Sequence, residues 1–110
     1  MHVPIGGTIL DGCVLAMLLH GDTYGYELTQ NLQQHADISE STLYPVLRRL
    51  QKDHYLETYD LPHAGRNRRY YKITEAGKQK LEQTKTNWQI YKNKVDYLLL
   101  QQREEDTNHD

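Results

Sequence analysis

Hydrophobic positions in the first half of the chain recur at helical spacing. Leu10, Cys13, Val14, Met17 and Leu18 follow the i, i+3, i+4 rule, so residues 9–20 predict a first helix, with Thr8 as N-cap and Gly21 as stop. Leu15, Ala16 and Leu19 fill much of its other side, and a helix apolar nearly all round must be covered twice. In so small a domain a second subunit is one source of that cover. Asp22-Thr23 reads as the cap of a second helix over residues 24–34, with Leu28 and Leu32 inward and Gln30, Asn31, Gln33 and Gln34 outward. After a break at 35–38, residues 39–53 predict a third helix, whose inward set Leu43, Val46, Leu47 and Leu50 is spaced i, i+3, i+4, i+7. Pro45 falls early in it, where a missing N–H costs less than in the middle.

The period then changes to two. Residues 56–61 and 68–73, rich in Tyr, Leu and Thr, predict two short strands, with a turn over 62–67 that contains Ala64-Gly65. Thr74 caps a long fourth helix with Glu75 in its first turn. Run to residue 102, it is roughly 40 Å long at ~1.5 Å per residue. The polar tail, 103–110, is expected to fray. Three helices, a hairpin and a long helix make a mainly α fold with a small β-hairpin (α+β), the winged helix-turn-helix arrangement.

The net charge of −2 argues against a nucleic-acid partner only until it is divided by segment. Residues 1–43 carry −5, residues 44–72 carry +4 and residues 73–110 carry −1. What attracts phosphate is a local field, and the positive charge is concentrated in the middle third. The 110 residues suffice for one modest core, and the single cysteine, Cys13, makes no internal disulfide. The one long apolar run, 9–19, is broken by Asp11 and Gly12, with no positive region ahead of it. No signal peptide or membrane anchor is expected, and the cytoplasm is the expected compartment.

The third helix suits a reading element. Ser39, Glu40, Ser41 and Thr42 bring hydroxyls and backbone N–H groups to its first turn, where a phosphate can be met. Its outer face presents Tyr44, Arg48, Gln51 and Lys52; Arg pairs bidentately with guanine and Gln with adenine. The same surface also fits a merely soluble amphipathic helix. In the hairpin, Arg66, Arg68 and Arg69 flank Asn67, and strand alternation sends Arg66 and Arg68 to one side and Asn67 and Arg69 to the other. Backbone phosphates or a minor groove are the matching anions.

Five segments resemble the PadR family of transcriptional regulators, in the family's order. They are Ile9-Leu10-Asp11-Gly12, Tyr24-Gly25-Tyr26-Glu27-Leu28, the run from Ser41-Thr42-Leu43-Tyr44-Pro45 to Val46-Leu47-Arg48-Arg49-Leu50, Gly65-Arg66-Asn67-Arg68-Arg69-Tyr70-Tyr71, and Thr74-Glu75-Ala76-Gly77. The resemblance covers roughly residues 9–100. It implies a dimeric winged-helix repressor with the third helix in the major groove and the wing on the backbone. Ser41, Thr42, Tyr44 and Arg48 match the family's recognition helix, and Arg66, Arg68 and Arg69 its wing. Tyr26 matches a second-helix tyrosine that touches phosphate or packs in the core; Tyr70 and Tyr71 pack the wing onto the body. Where the family commonly has a glycine after the third helix, this chain has Asp53-His54-Tyr55-Leu56. Either His54 adopts a left-handed cap or the helix ends differently.

Along the fourth helix, Leu81, Trp88 and Val95 are seven apart, as are Thr84, Tyr91 and Leu98. This 3–4 seam suits packing on another long helix, and Ile90, Leu99 and Leu100 add more apolar surface than one small domain hides. A homodimer accounts for it and supplies two recognition helices for a palindromic operator on double-stranded DNA; packing on the first helix is the alternative, and both can hold. The division expected is a winged-helix DNA-binding domain at 1–73, a dimerisation helix at 74–102 in the same compact unit, and a flexible tail.

Trp88, the only tryptophan, either packs the interface or lines a cavity between subunits. The resemblance to short-tailed, multidrug-responsive PadR-like proteins implies the cavity, where a flat aromatic effector stacks, with Leu10, Val14, Met17, Tyr91 and Val95 as walls. Cys13 is a small hydrophobe or a redox thiol. The six histidines include no pair at i, i+3 or i, i+4. No zinc site, nucleophile motif or glycine-rich phosphate loop is visible, so neither a cofactor nor an enzyme is expected. Two rivals stay open: a winged-helix protein–protein adaptor, and a DNA-binding regulator without a small-molecule ligand.

Overall fold

A computed structural model describes residues 7–101. Its elements run α1 (Gly7–Leu19), β1 (Thr23–Tyr24), α2 (Gly25–Gln33), α3 (Glu40–Lys52), β2 (Leu56–His63), β3 (Arg66–Ile73) and α4 (Glu75–Leu100). The predicted tail, 103–110, lies outside the described residues. The aliphatic stripes of the first three helices meet in one core. Leu10, Val14, Leu15 and Leu18 of α1 pack with Leu28 and Leu32 of α2 and with Leu43, Val46, Leu47 and Leu50 of α3. Leu56, Tyr71 and Ile73 of the sheet and Leu81 of α4 close it.

Helix starts depart from expectation in two places. Thr8 lies inside α1, which has begun by Gly7, so it is not the N-cap. Asp22-Thr23 does not cap α2 either. Thr23 and Tyr24 form β1, and Tyr24 is the N-cap residue with no side-chain cap bond. The Thr23 hydroxyl instead donates to Glu27 Oε1 at 2.6 Å, and Asp22 Oδ2 accepts from the Tyr59 hydroxyl at 2.7 Å. This backbone pairs with β3, Thr23 with Tyr71 and Tyr24 with Tyr70, in place of the expected cap.

Ser39 caps α3 as expected, accepting from the Thr42 N–H at 3.3 Å. Pro45 stands in the second turn of α3 and leaves the Ser41 carbonyl without its i+4 donor. Ser41 and Pro45 are both exposed, so the missing bond lies on the solvent side of the helix. At the other end His54 adopts φ 66°, with its N–H on the Gln51 carbonyl and the Tyr55 N–H on the Leu50 carbonyl. This is a Schellman termination with histidine in the left-handed position that glycine favours.

The hairpin is longer and its turn tighter than predicted. β2 and β3 stay in register from Leu56↔Ile73 out to His63↔Arg66. Only Ala64 and Gly65 turn, with φ 52° and 81°. Positive φ at both central residues is the type I′ signature, which matches strand twist and lets pairing run to the tip. Pro62 is tolerated because β2 is an edge strand: the sheet order is β1-β3-β2.

α4 begins at the Thr74 cap, whose hydroxyl accepts from the Gly77 N–H at 3.0 Å. It crosses α1 closely: a Cβ on Gly12 would stand 2.6 Å from Thr84 Cγ2. Gly77 and Leu81 are buried, but Trp88, Ile90, Tyr91, Tyr97 and Leu98 to Leu100 are exposed. Among the described residues, no helix is long and apolar enough to cross a membrane.

Candidate nucleic-acid interface

The N-terminus of α3 carries a small hydroxyl cluster. Ser39 Oγ lies 2.9 Å from Ser41 Oγ and 3.1 Å from Thr42 Oγ1, all three exposed. The first N–H groups of any helix lack intrahelical acceptors, and its dipole is positive there. The cluster is therefore able to receive a phosphate oxygen. Glu40 in the same turn suits the dipole but opposes an anion.

Further along α3, Arg48, Gln51 and Lys52 are exposed. Tyr44 is half-buried and packs against the core, and its hydroxyl would lie 2.9 Å from a Cβ on Gly25. The approach of α2 and α3 thus holds this side chain, leaving only part of it to face a ligand. Arg49 is on another flank, bonded to Asp11 of α1. That contact spans 38 positions and left no trace in the sequence, where Arg48 and Arg49 look equivalent. Tyr26 is exposed on α2, which removes core packing as its role.

The wing arginines separate as strand alternation requires. Arg66 is exposed beside the turn. Arg68 is half-buried, its guanidinium 4.0 Å above the Tyr24 ring. Arg69, on the opposite face with Tyr71 and Ile73, holds Asp60 at 3.7 Å. Burial pushes the Tyr71 phenol up, while the charges of Arg69 and Arg48 pull it the other way. Both guanidinium groups therefore act on one phenol, at the junction of α3 and the wing.

A cleft of about 200 Å³ opens between α1 and α4, lined by Ile9, Lys80, Gln83, Thr84, Asn87, Trp88 and Tyr91. The Trp88 and Tyr91 rings lie 6.0 Å apart, tilted by 37°. Of the six residues expected at a cavity between subunits, Trp88 and Tyr91 line this cleft within one chain. Leu10 and Val14 are in the core, at 2% and 0% exposure, because α1 turns them toward α3 and offers Ile9 to α4 instead. Met17 and Val95 are half-buried elsewhere.

Residues 14–83 match the Transcriptional regulator PadR-like family. This chain belongs to that family. PadR-family proteins are transcription regulators that bind DNA, not enzymes. A Streptococcus mutans protein of known crystal structure is 36% identical and superposes with a TM-score of 0.85, covering 100% of both chains. A PadR-like transcriptional regulator of Bacillus cereus is also 36% identical, with a TM-score of 0.76 over 83% of this chain and 91% of its own. Bacillus subtilis PadR, solved in complex with operator DNA, is 25% identical with a TM-score of 0.63, over 68% of this chain and 45% of its own. The winged helix-turn-helix fold expected from the sequence is the fold of this PadR-like chain.

Within it, the predicted residues Ser41, Thr42, Tyr44, Arg48 and Lys52 share α3 with Ser39 as its N-cap, and Arg66, Arg68 and Arg69 share β3. Sequence reasoning missed the Arg49–Asp11 pair on the neighbouring flank, and Ile9, Lys80, Gln83, Thr84 and Asn87 at the cleft. The cleft residues on α4 repeat at helical spacing; with the orientation of α1 unknown, that signal had no anchor.

Proposed function

We propose that this PadR-family chain is a homodimeric repressor that reads a palindromic operator through α3, grips flanking phosphates with its wing, and is released by a planar aromatic effector. The observation that carries the reading is electrostatic. A chain of net charge −2 concentrates its cations on α3 and the wing, beside an exposed hydroxyl-tipped helix N-terminus. Cations gathered this way add to one local field, which is what duplex phosphates sense.

Dimerisation rests on α4, where Leu98 and Leu99 are 69% and 74% exposed on a stretch that also bears Tyr97 and Leu100. So much apolar surface in water favours a partner, and a second copy gives α3 its symmetric half-site. The effector reading rests on Trp88 and Tyr91 beside the cleft, since paired aromatic faces suit a flat ligand. Acting on the genome places such a protein in the cytoplasm. For the domains, the winged unit ends near residue 73 and α4 serves assembly.

The test is titration of the purified protein onto the duplex upstream of its own gene, across a range of salt. Binding that falls steeply with salt and is stronger than to an unrelated duplex supports the repressor. Weak binding indifferent to sequence, unchanged by Arg66→Ala, supports an adaptor. Trp88 fluorescence that no planar phenolic acid or cationic dye quenches leaves a regulator without a ligand at this cleft.

A further inference from the structure

The outer face of the wing carries a chain of side-chain contacts that crosses all three strands. The Tyr59 hydroxyl donates to Asp22 Oδ2 at 2.7 Å. The Tyr59 ring stacks on Tyr70, centroids 5.5 Å apart and planes within 14°. Tyr70 meets Tyr24 edge-on at 5.6 Å, and Arg68 covers the Tyr24 ring at 4.0 Å. Tyr24 is the N-cap residue of α2, next to Gly25, against which Tyr44 of α3 packs. The contacts therefore run from the wing to the two helices of the DNA-reading unit.

The wing needs such an anchor. Beyond Tyr70 both of its strands are largely exposed, and β1 contributes only the pairs Thr23↔Tyr71 and Tyr24↔Tyr70. A two-stranded ribbon without a core face is marginal in water. A strand rises about 3.3 Å per residue, so Arg66 stands about 13 Å beyond Tyr70, and a swing of about 15° at the base moves it about 3 Å. A tip free to wander that far must be ordered again whenever Arg66 meets a phosphate, which costs affinity but keeps the contact, and so the salt slope, in the complex.

We propose that Tyr24 and Arg68 are a positioning pair: the stacked guanidinium locks the wing at a fixed angle to α2 and α3, and acts on DNA affinity through Tyr24 and not as a phosphate contact. The inference rests on the DNA-binding reading above. A planar guanidinium stacks on a ring face as an ammonium does not, so Lys is no substitute here. Arg66, exposed beside the turn, is left as the wing's phosphate contact.

Affinity and salt slope separate this pair from a direct contact, because only the loss of a phosphate contact flattens the slope, by about 0.9 per contact. Tyr24→Phe keeps the ring and is expected to bind operator like the parent. Tyr24→Leu and Arg68→Ala are each expected to lose about fivefold or more with the slope unchanged, and the double variant is expected to lose no more than either single one. Arg68→Lys, which keeps the charge, is expected to lose as much as Arg68→Ala. Additive losses, a flatter slope for Arg68→Ala, or full affinity for Arg68→Lys would each overturn the proposal; the lysine variant decides if Tyr24→Leu fails to fold. A parent protein that binds no duplex would instead sink the DNA-binding reading itself.

Discussion

Arg49 of α3 donates to the carboxylate of Asp11 on α1, tying the helix assigned to DNA reading to the helix that crosses α4. Asp11 is mostly covered, whereas the guanidinium is half exposed. The bond and the charge of Asp11 both raise the already high pKa of Arg49, so the guanidinium stays charged at any physiological pH. Asp11 adjoins Gly12, the point where Thr84 of α4 makes its close approach.

Removing that carboxylate is expected to cost about 1 kcal/mol, the upper part of the range for partly exposed pairs. Asp11→Ala should lower the melting temperature by a few degrees in low salt and by less in high salt. An Arg49→Met change in the Asp11→Ala background should add little, since the interaction is already gone. Melting curves of the parent, Asp11→Ala, Arg49→Met and the double variant check both points.

Gly77 tests the seating of α4. Alanine in a helix interior ordinarily gains about 1 kcal/mol over glycine. Here a Cβ would stand 2.2 Å from the Tyr55 carbonyl oxygen, a backbone atom that accepts the Thr74 N–H. Overpacking against backbone costs about 1–3 kcal/mol, so Gly77→Ala is expected to destabilise in spite of propensity. Denaturant unfolding measures the sign.

His54 offers the opposite experiment. Its left-handed backbone costs a non-glycine residue about 1–2 kcal/mol, partly offset by glycine's greater freedom in the unfolded chain. His54→Gly is expected to stabilise by about 1 kcal/mol. An unchanged or lower melting temperature would show that the imidazole supplies something the backbone account omits.

Arg66→Ala should weaken binding to specific and non-specific duplexes alike, and flatten the salt dependence by about one counterion. Loss confined to the operator would mean that Arg66 reads bases. Binding isotherms on two duplexes at several salt concentrations distinguish these.

The exposed end of α4 is tested by charge. Leu98→Glu combined with Leu99→Glu changes two side chains outside the core, so the fold should survive. Sedimentation is expected to give a monomer, and affinity for a palindromic site to fall as the two half-sites bind independently. A double variant that remains dimeric moves the interface elsewhere.

Much of this architecture was legible because it is periodic. The stripe Leu43, Val46, Leu47 and Leu50 specified both the third helix and the face it buries, and Thr74 and Ser39 marked caps that form as expected. β1 was not legible. Two residues carry no period, and Asp22-Thr23 ahead of a helical pattern looks the same whether it caps that helix or pairs with a strand far along the chain. The turn was misjudged in length for a related reason: Pro62 reads as a loop residue until the strand beyond it is known to be an edge.

The sequence by itself determined which segments are helical, where the charge gathers and which family's motifs stand in order, since each of these depends on neighbours within a few positions. Only the tertiary structure decided that Arg49 is held by Asp11 while Arg48 is exposed, that Arg68 lies on Tyr24, and that Leu10 and Val14 face the core and leave Ile9 to the cleft. Those outcomes turn on the rotation of one helix about its axis and the register of one strand. Contacts between distant parts of the chain set both.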